Sequence, residues 1–191
     1  MAKYAVFEST NMGSTKYAER IFDAVATEDI ENGTFGYLDG LEDGEQVIYK
    51  FKKGFKSGQP IVVVDSPEWN EETYNAGRTA KMRRDNFINE AGTPFRVRVV
   101  KKLDEFGITA EGITAATRSV VTGVSDFTET KVYLKIDNST GKLVASTTEP
   151  EEVSFIAQIM RKRMIGATLT TTLRNYGYAN AIYEAKVTYI V

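Results

Sequence analysis

Short stretches rich in β-branched and aromatic residues return roughly every 8 to 15 residues along this chain, each closed off by Gly, Asn, Asp or Ser. That cadence restricts the fold to a mainly β architecture, an antiparallel sandwich or an open barrel. Arg20 to Thr27 and Thr34 to Leu38 flank Asn32-Gly33, which supplies the positive φ angles of a tight turn, so the two segments are predicted to pair as a hairpin. Gln46 to Lys52 sets Val47, Tyr49 and Phe51 against Ile48, Lys50 and Lys52, the pattern of a half-buried strand. Ile61 to Val64 is apolar without alternation and reads as a strand buried on both faces. Phe95 to Val100 alternates apolar residues with Arg96 and Arg98, giving a strand with one wet face.

Leu103 to Thr109 and Thr117 to Val124 continue in short segments, and Lys131 to Ile136 pairs with Lys142 to Ser146 through the turn Asp137 to Gly141. Ala181 to Val191 is a further strand by its β-branched and aromatic content. Thr148 to Gly166 supports two readings. As a helix, Pro150, Glu151 and Glu152 open it and Val153, Ile156, Ala157, Met160 and Met164 share a face; as a strand, Phe155, Ala157 and Ile159 share one.

Two stretches break the rhythm. Residues 1–15 read as an N-terminal arm, a strand at Lys3 to Glu8 followed by Ser-, Asn- and Gly-rich chain. Residues 66–94 read as an irregular or helical insertion, with a short helix near Arg78 to Asn89, inside a single β domain of residues 16–191. No long-period repeat interrupts that domain.

The chain has 191 residues, of which 42% are hydrophobic and 11% aromatic, so a core forms without disulfides or metal. It contains no His and no Cys. Those absences remove the side chain that titrates near neutral pH and the thiolate nucleophile, which favours a protein acting by contact: no catalytic, cofactor or metal residues are assigned. Lys and Arg number 24 against 26 Asp and Glu, a net charge of −2 that gives no field to attract nucleic acid or an anionic membrane. Met1 to Thr10 has no apolar signal core, and no run approaches the roughly 18 residues that span a bilayer.

Each chemical constellation has a bland competitor. Gly13 to Lys16 lacks the spacing of a phosphate loop. The acidic clusters Glu28-Asp29-Glu31, Glu42-Asp43-Glu45 and Glu149-Glu151-Glu152 sit beside turn residues and read as solvated loop charge rather than paired catalytic carboxylates. Arg78, Lys81, Arg83, Arg84, Arg96, Arg98, Lys101 and Lys102 form a basic set that reads first as solvated surface and second as a match for an acidic protein face, with too few interleaved aromatics to read RNA. The arm could add to a neighbouring sheet edge through Tyr4, Val6 and Phe7, or pair within its own sheet.

Asn86 to Gly92, Phe95 to Arg98 and Leu103 to Thr109 together resemble a pattern in small structural proteins encoded near the major capsid gene of tailed bacteriophages, an Ala-Gly turn leading to a strand with Arg and then to Leu, acid, Phe and Ile-Thr. Ala26 to Gly33 and Phe155 to Ile159 are similar to other parts of those proteins. The resemblance implies a virion protein, a head decoration or auxiliary capsid protein, and carries over no catalytic residue. The reading that follows is a non-enzymatic homo-oligomer, assembled in the host cytoplasm, that docks on the major capsid protein or other virion proteins through Tyr4, Val6, Phe7, Arg83 and Arg84. It takes no cofactor, nucleic acid, membrane or small-molecule substrate. The alternatives are a phage tail-tube or tail-associated protein, and a carbohydrate-binding β domain using Trp69, Tyr176 and Tyr178.

Overall fold

Ile61, Val62, Val63 and Val64 lie where two β layers meet, and that position explains their missing alternation. Val62 and Val64 are buried inside a small barrel, while Ile61 and Val63 are buried in the core between that barrel and a larger sheet. The structure, a computed structural model, describes residues 4–68, 84–151, 153–165 and 180–191. Eleven strands are found there: β1 (Phe7–Asn11), β2 (Ile21–Val25), β3 (Phe35–Leu41), β4 (Ile48–Lys53), β5 (Val62–Val64), β6 (Phe95–Val99), β7 (Glu105–Thr109), β8 (Tyr133–Ile136), β9 (Leu143–Ser146), β10 (Phe155–Ile165) and β11 (Asn180–Ile190).

The chain is thus mainly β, as its cadence predicts, in two sheets. Five strands close a barrel in the order β2-β4-β3-β5-β6. Its one parallel pair, β2 with β4, carries the register Asp23↔Ile48 and Ala24↔Tyr49. The barrel interior holds Ala24, Leu38, Phe51, Val62, Val64, Phe95, Val97 and Val99. The other six strands form an open antiparallel sheet ordered β1-β7-β11-β10-β8-β9.

The inner face of that sheet packs on the outside of the barrel. Phe7, Phe106, Ile108, Leu134, Leu143, Phe155, Ile159 and Tyr183 meet Phe35, Ile61, Val63 and Val100 in one apolar cluster. Phe35 is fully buried at the centre, with ring centroids 6.5 Å from Phe7, 5.7 Å from Phe106 and 5.2 Å from Phe155. Burying a side chain of this size stabilises by about 1.5–3 kcal/mol, so the shared cluster fastens the layers together.

Main-chain bonds add to that join. The β8–β9 turn, held by Asp137 accepting bonds from Ser139 and Thr140, lays Gly141 on the start of β3, where Phe35 N–H donates to the Gly141 carbonyl at 2.8 Å. Phe55 N–H donates to Asn138 Oδ1 of the same turn at 3.0 Å.

Four expectations are revised or decided. The predicted hairpin of Arg20 to Thr27 with Thr34 to Leu38 does not form, because β4 inserts between β2 and β3. Asn32 is buried at 2% exposure and serves as an anchor instead: its amide donates to the Ser66 carbonyl and its Oδ1 accepts the Ser66 N–H. Phe155–Ile165 is a strand, since pairing with β8 and β11 buries Phe155, Ala157 and Ile159 where an isolated helix would have had no such partners. Within Thr117 to Val124, Arg118–Thr122 is one turn of α-helix that buries Val121 in the interlayer core. Of the two readings of the N-terminal segment, Phe7–Asn11 follows pairing within its own sheet: β1 pairs with β7, Phe7↔Ile108 and Glu8↔Gly107. Most of the 66–94 insertion, including the expected helix, falls outside the described residues; within it Arg84–Asn86 is a 3-10 turn.

Candidate functional site

Glu8 on β1, Gly107 on β7, Glu184 on β11 and Arg161 on β10 stand in one register row across the sheet. The two glutamates flank a glycine, and the absent side chain leaves a concavity of about 180 Å³ bordered by Glu8, Thr10, Asn11, Glu105, Arg163 and Glu184. A Cβ on Gly107 would lie 2.8 Å from Ile182 Cγ2 and 3.4 Å from Glu8 Cβ, so the row closes up only around glycine. Arg163 spans the gap, donating from Nε to Glu184 Oε1 at 2.5 Å and from Nη2 to Glu8 Oε2. Arg161 donates to Glu184 Oε2. On the far side Arg84 donates to Glu8 Oε1 at 3.1 Å and to Glu68 Oε2 at 2.5 Å. Arginines and glutamates therefore alternate from Glu68 to Arg161 in one charge-balanced chain.

Burial acts to raise the Glu184 carboxyl, and the bonds and charges of Arg161 and Arg163 outweigh it, leaving the group below its ordinary value of 4.5. A carboxylate depressed in the folded state contributes stability that is fully present above its unfolded value and is lost as pH falls through the folded one. We expect Glu184→Gln to cost about 1 kcal/mol near neutral pH and to make the acid limb of stability against pH shallower than in the parent. Urea unfolding at a series of pH values checks this, and parallel acid limbs would contradict it.

Arg84 has a second task. Its Nη2 donates to the Phe7 carbonyl at 3.1 Å on β1, an edge strand of the sheet. Farther along β1 the Ser9 carbonyl accepts Met12 N–H at 2.9 Å and Thr15 Oγ1 at 2.5 Å. The opposite edge, β9, is covered too: Thr114 N–H donates to the Leu143 carbonyl at 2.8 Å, and Ala145 N–H donates to Thr117 Oγ1 at 3.0 Å. Edge strands left bare are templates for uncontrolled pairing, and both are closed here by the chain's own groups.

One edge differs. β10 and β11 have 11 residues each and β8 has 4, so β8 reaches only Ala157 and Gln158 by register, with Ile159 N–H donating to the Val132 carbonyl at 2.9 Å. Beyond that point, among the described residues, Arg161–Ile165 pairs with β11 alone. β7 stops at Ile182 on the other side, so Met164↔Ala181 and Ile165↔Asn180 form a two-stranded ribbon past both neighbours. Met160 and Met164 are 48% and 50% exposed on it. A bulge at Met160 resets the alternation, which places Arg161 and Arg163 on the outer face with Glu184.

Of the residues assigned to a partner from sequence, Val6 and Phe7 lie in the core at 0% and 1% exposure. Tyr4 is half-buried and its N–H donates to the Asp85 carbonyl. Arg84 is engaged within the protein as above, and Arg83 lies outside the described residues, as do Arg78, Lys81, Trp69, Tyr176 and Tyr178. In the first two acidic clusters Glu28 and Asp43 are exposed loop charges that pair at the surface with Lys53 and Lys50, each at 3.0 Å, whereas Glu31 is tied into the body, accepting Ala5 N–H at 3.0 Å and Lys142 Nζ at 2.9 Å. In the Leu103 to Thr109 motif, Asp104 accepts the N–H groups of Gly13 and Lys101, both at 2.8 Å, and so ties the β6–β7 turn to the segment after β1. Sequence reasoning missed Glu8, Glu184 and Arg163, which no local spacing connects.

No family model, no curated protein and no solved structure matches this chain.

Proposed function

We propose that this chain is a non-enzymatic structural protein of a tailed-phage virion, a capsid decoration or auxiliary head protein that docks on the capsid lattice through protein–protein contacts. The observation that supports docking is the β10–β11 ribbon. Among the described residues, a body whose β1 and β9 edges are capped carries one paired extension, with exposed Met160 and Met164, past the strands beside it. An extension of that kind presents main-chain groups and adaptable apolar side chains to a neighbour while the body keeps its own shape. Many symmetric copies on a lattice would turn such a small contact into firm attachment through avidity. The resemblance of residues 86–109, 26–33 and 155–159 to capsid-associated phage proteins supplies the virion context.

Mass spectrometry of purified particles, with a size measurement of the isolated protein at micromolar concentration, tests the assignment. We expect the protein in particles at a copy number set by the capsid lattice. Absence from particles overturns the reading. Rings or tubes formed by the isolated protein would move it to the tail tube.

A further inference from the structure

We infer that the open edge of β10, Met160–Ile165, binds an extended acidic segment of a partner protein as an added strand. This names the partner chemistry of the ribbon and rests on the docking role proposed above. Among the described residues Arg161–Ile165 pairs with β11 alone, and no side chain or turn caps its other side. The edges of β1 and β9 are both capped, by Arg84 and the turn at Met12 to Thr15 and by the segment Ile113 to Thr117. Leaving this stretch uncapped therefore contrasts with the treatment of the rest of the sheet.

Charge on an edge repels a like-charged strand, and Arg161, Lys162 and Arg163 supply that charge. Here Met160 and Met164, half-exposed and flexible, bracket the charges and offer apolar contact. Between them stand Arg161, Lys162 and Arg163. Arg161 keeps a 70% exposed side chain despite Glu184, and Lys162 lies over the Tyr183 ring at 5.9 Å with no carboxylate at ion-pair distance among the described residues.

The charges also select the occupant. A second copy pairing on the same edge would set Arg-Lys-Arg against Arg-Lys-Arg, and like charges on facing strands destabilise a pair. A strand bearing Glu or Asp opposite Lys162, or on the other face opposite the exposed part of Arg161, would complement a charge at this edge, and Met164 on the Lys162 face adds apolar contact. Glu184 and Glu8 already balance Arg163 from inside the sheet, so the complementary charge is needed mainly at Lys162 and Arg161.

The test uses the full chain and a short synthetic peptide alternating Glu and Val, with a Lys/Val peptide and a single-stranded oligonucleotide as comparisons. Hydrogen exchange reads the amides of Met160–Ile165, and fluorescence anisotropy reads affinity. We expect the Glu/Val peptide to slow exchange there by about tenfold or more. Lys162→Glu should weaken its binding roughly three- to tenfold, with Lys162→Gln between that variant and the parent. No protection by the peptide, protection elsewhere in the chain, or equal protection by the Lys/Val peptide overturns the inference. Protection without any peptide, rising with protein concentration, assigns the edge to a second copy and also overturns it. Equal protection by the oligonucleotide does the same in favour of a general polyanion surface. Particle composition is a separate measurement: a protein absent from particles that still binds the peptide refutes the virion role and leaves the strand site standing.

Discussion

Replacing Phe35 by Ala is expected to destabilise the protein by about 3–5 kcal/mol, the cost of emptying a large aromatic site in a close-packed core. Phe35 lies on the barrel yet its ring sits among Phe7, Phe106 and Phe155 of the six-stranded sheet, so truncation leaves a void where the two layers touch. No single neighbour can fill it, since those rings belong to β1, β7 and β10 and each is pinned by its own strand pairing. For a domain of this size the loss lowers the melting temperature by roughly 10 °C. Calorimetry of Phe35→Ala beside Phe35→Leu checks the claim: the leucine variant, which retains most of the apolar volume, should lose less than half as much. Equal losses would mean that aromatic shape, not the void, sets the cost.

Gly141→Ala is the second large effect, at about 3 kcal/mol. Two separate penalties coincide there. The backbone has φ +69, a left-handed conformation that side chains disfavour, and a Cβ would lie 2.5 Å from the Phe35 carbonyl oxygen and 2.7 Å from Thr34 Cγ2. Relief requires moving the β8–β9 turn off the barrel, which breaks the bond from Phe35 N–H to the Gly141 carbonyl. Gly58 is a built-in control, because its φ is +80 and nothing lies within 4 Å of the position a Cβ would take. Gly58→Ala should therefore cost only the conformational part, about 1 kcal/mol. Denaturant unfolding of both variants separates strain from contact, and similar losses at the two sites would refute the argument.

What the sequence made legible was the set of strands and the β8–β9 hairpin, and what it concealed was the pairing of strands distant in the chain. Alternation in Phe95 to Val99 and the unbroken run Val62 to Val64 report which faces are buried, because side-chain direction follows from the local backbone. Neighbours in a sheet are chosen by the whole chain. Asn32-Gly33 has the chemistry of a hairpin turn, yet its buried amide is committed to Ser66 and β4 takes the place beside β2. In Phe155–Ile165 local helical periodicity competed with strand alternation, and long-range pairing to β11 decided it. The ionic row was beyond reach for the same reason, since Glu8 and Arg163 are 155 positions apart. Arg84 was visible as a basic residue of interest, but only the fold reveals that its guanidinium closes the edge of β1.

The sheet order also bears on how the molecule comes into being at the ribosome. β11, residues 180–190, is the last strand in chain order among those described, yet in space it sits in the interior of its sheet between β7 and β10. Until those residues emerge, the nascent polypeptide holds β7 and β10 with no partner between them, while every strand of the barrel is already available. The barrel can therefore mature first during synthesis, and the larger layer must wait until β11 has emerged to join β7 with β10.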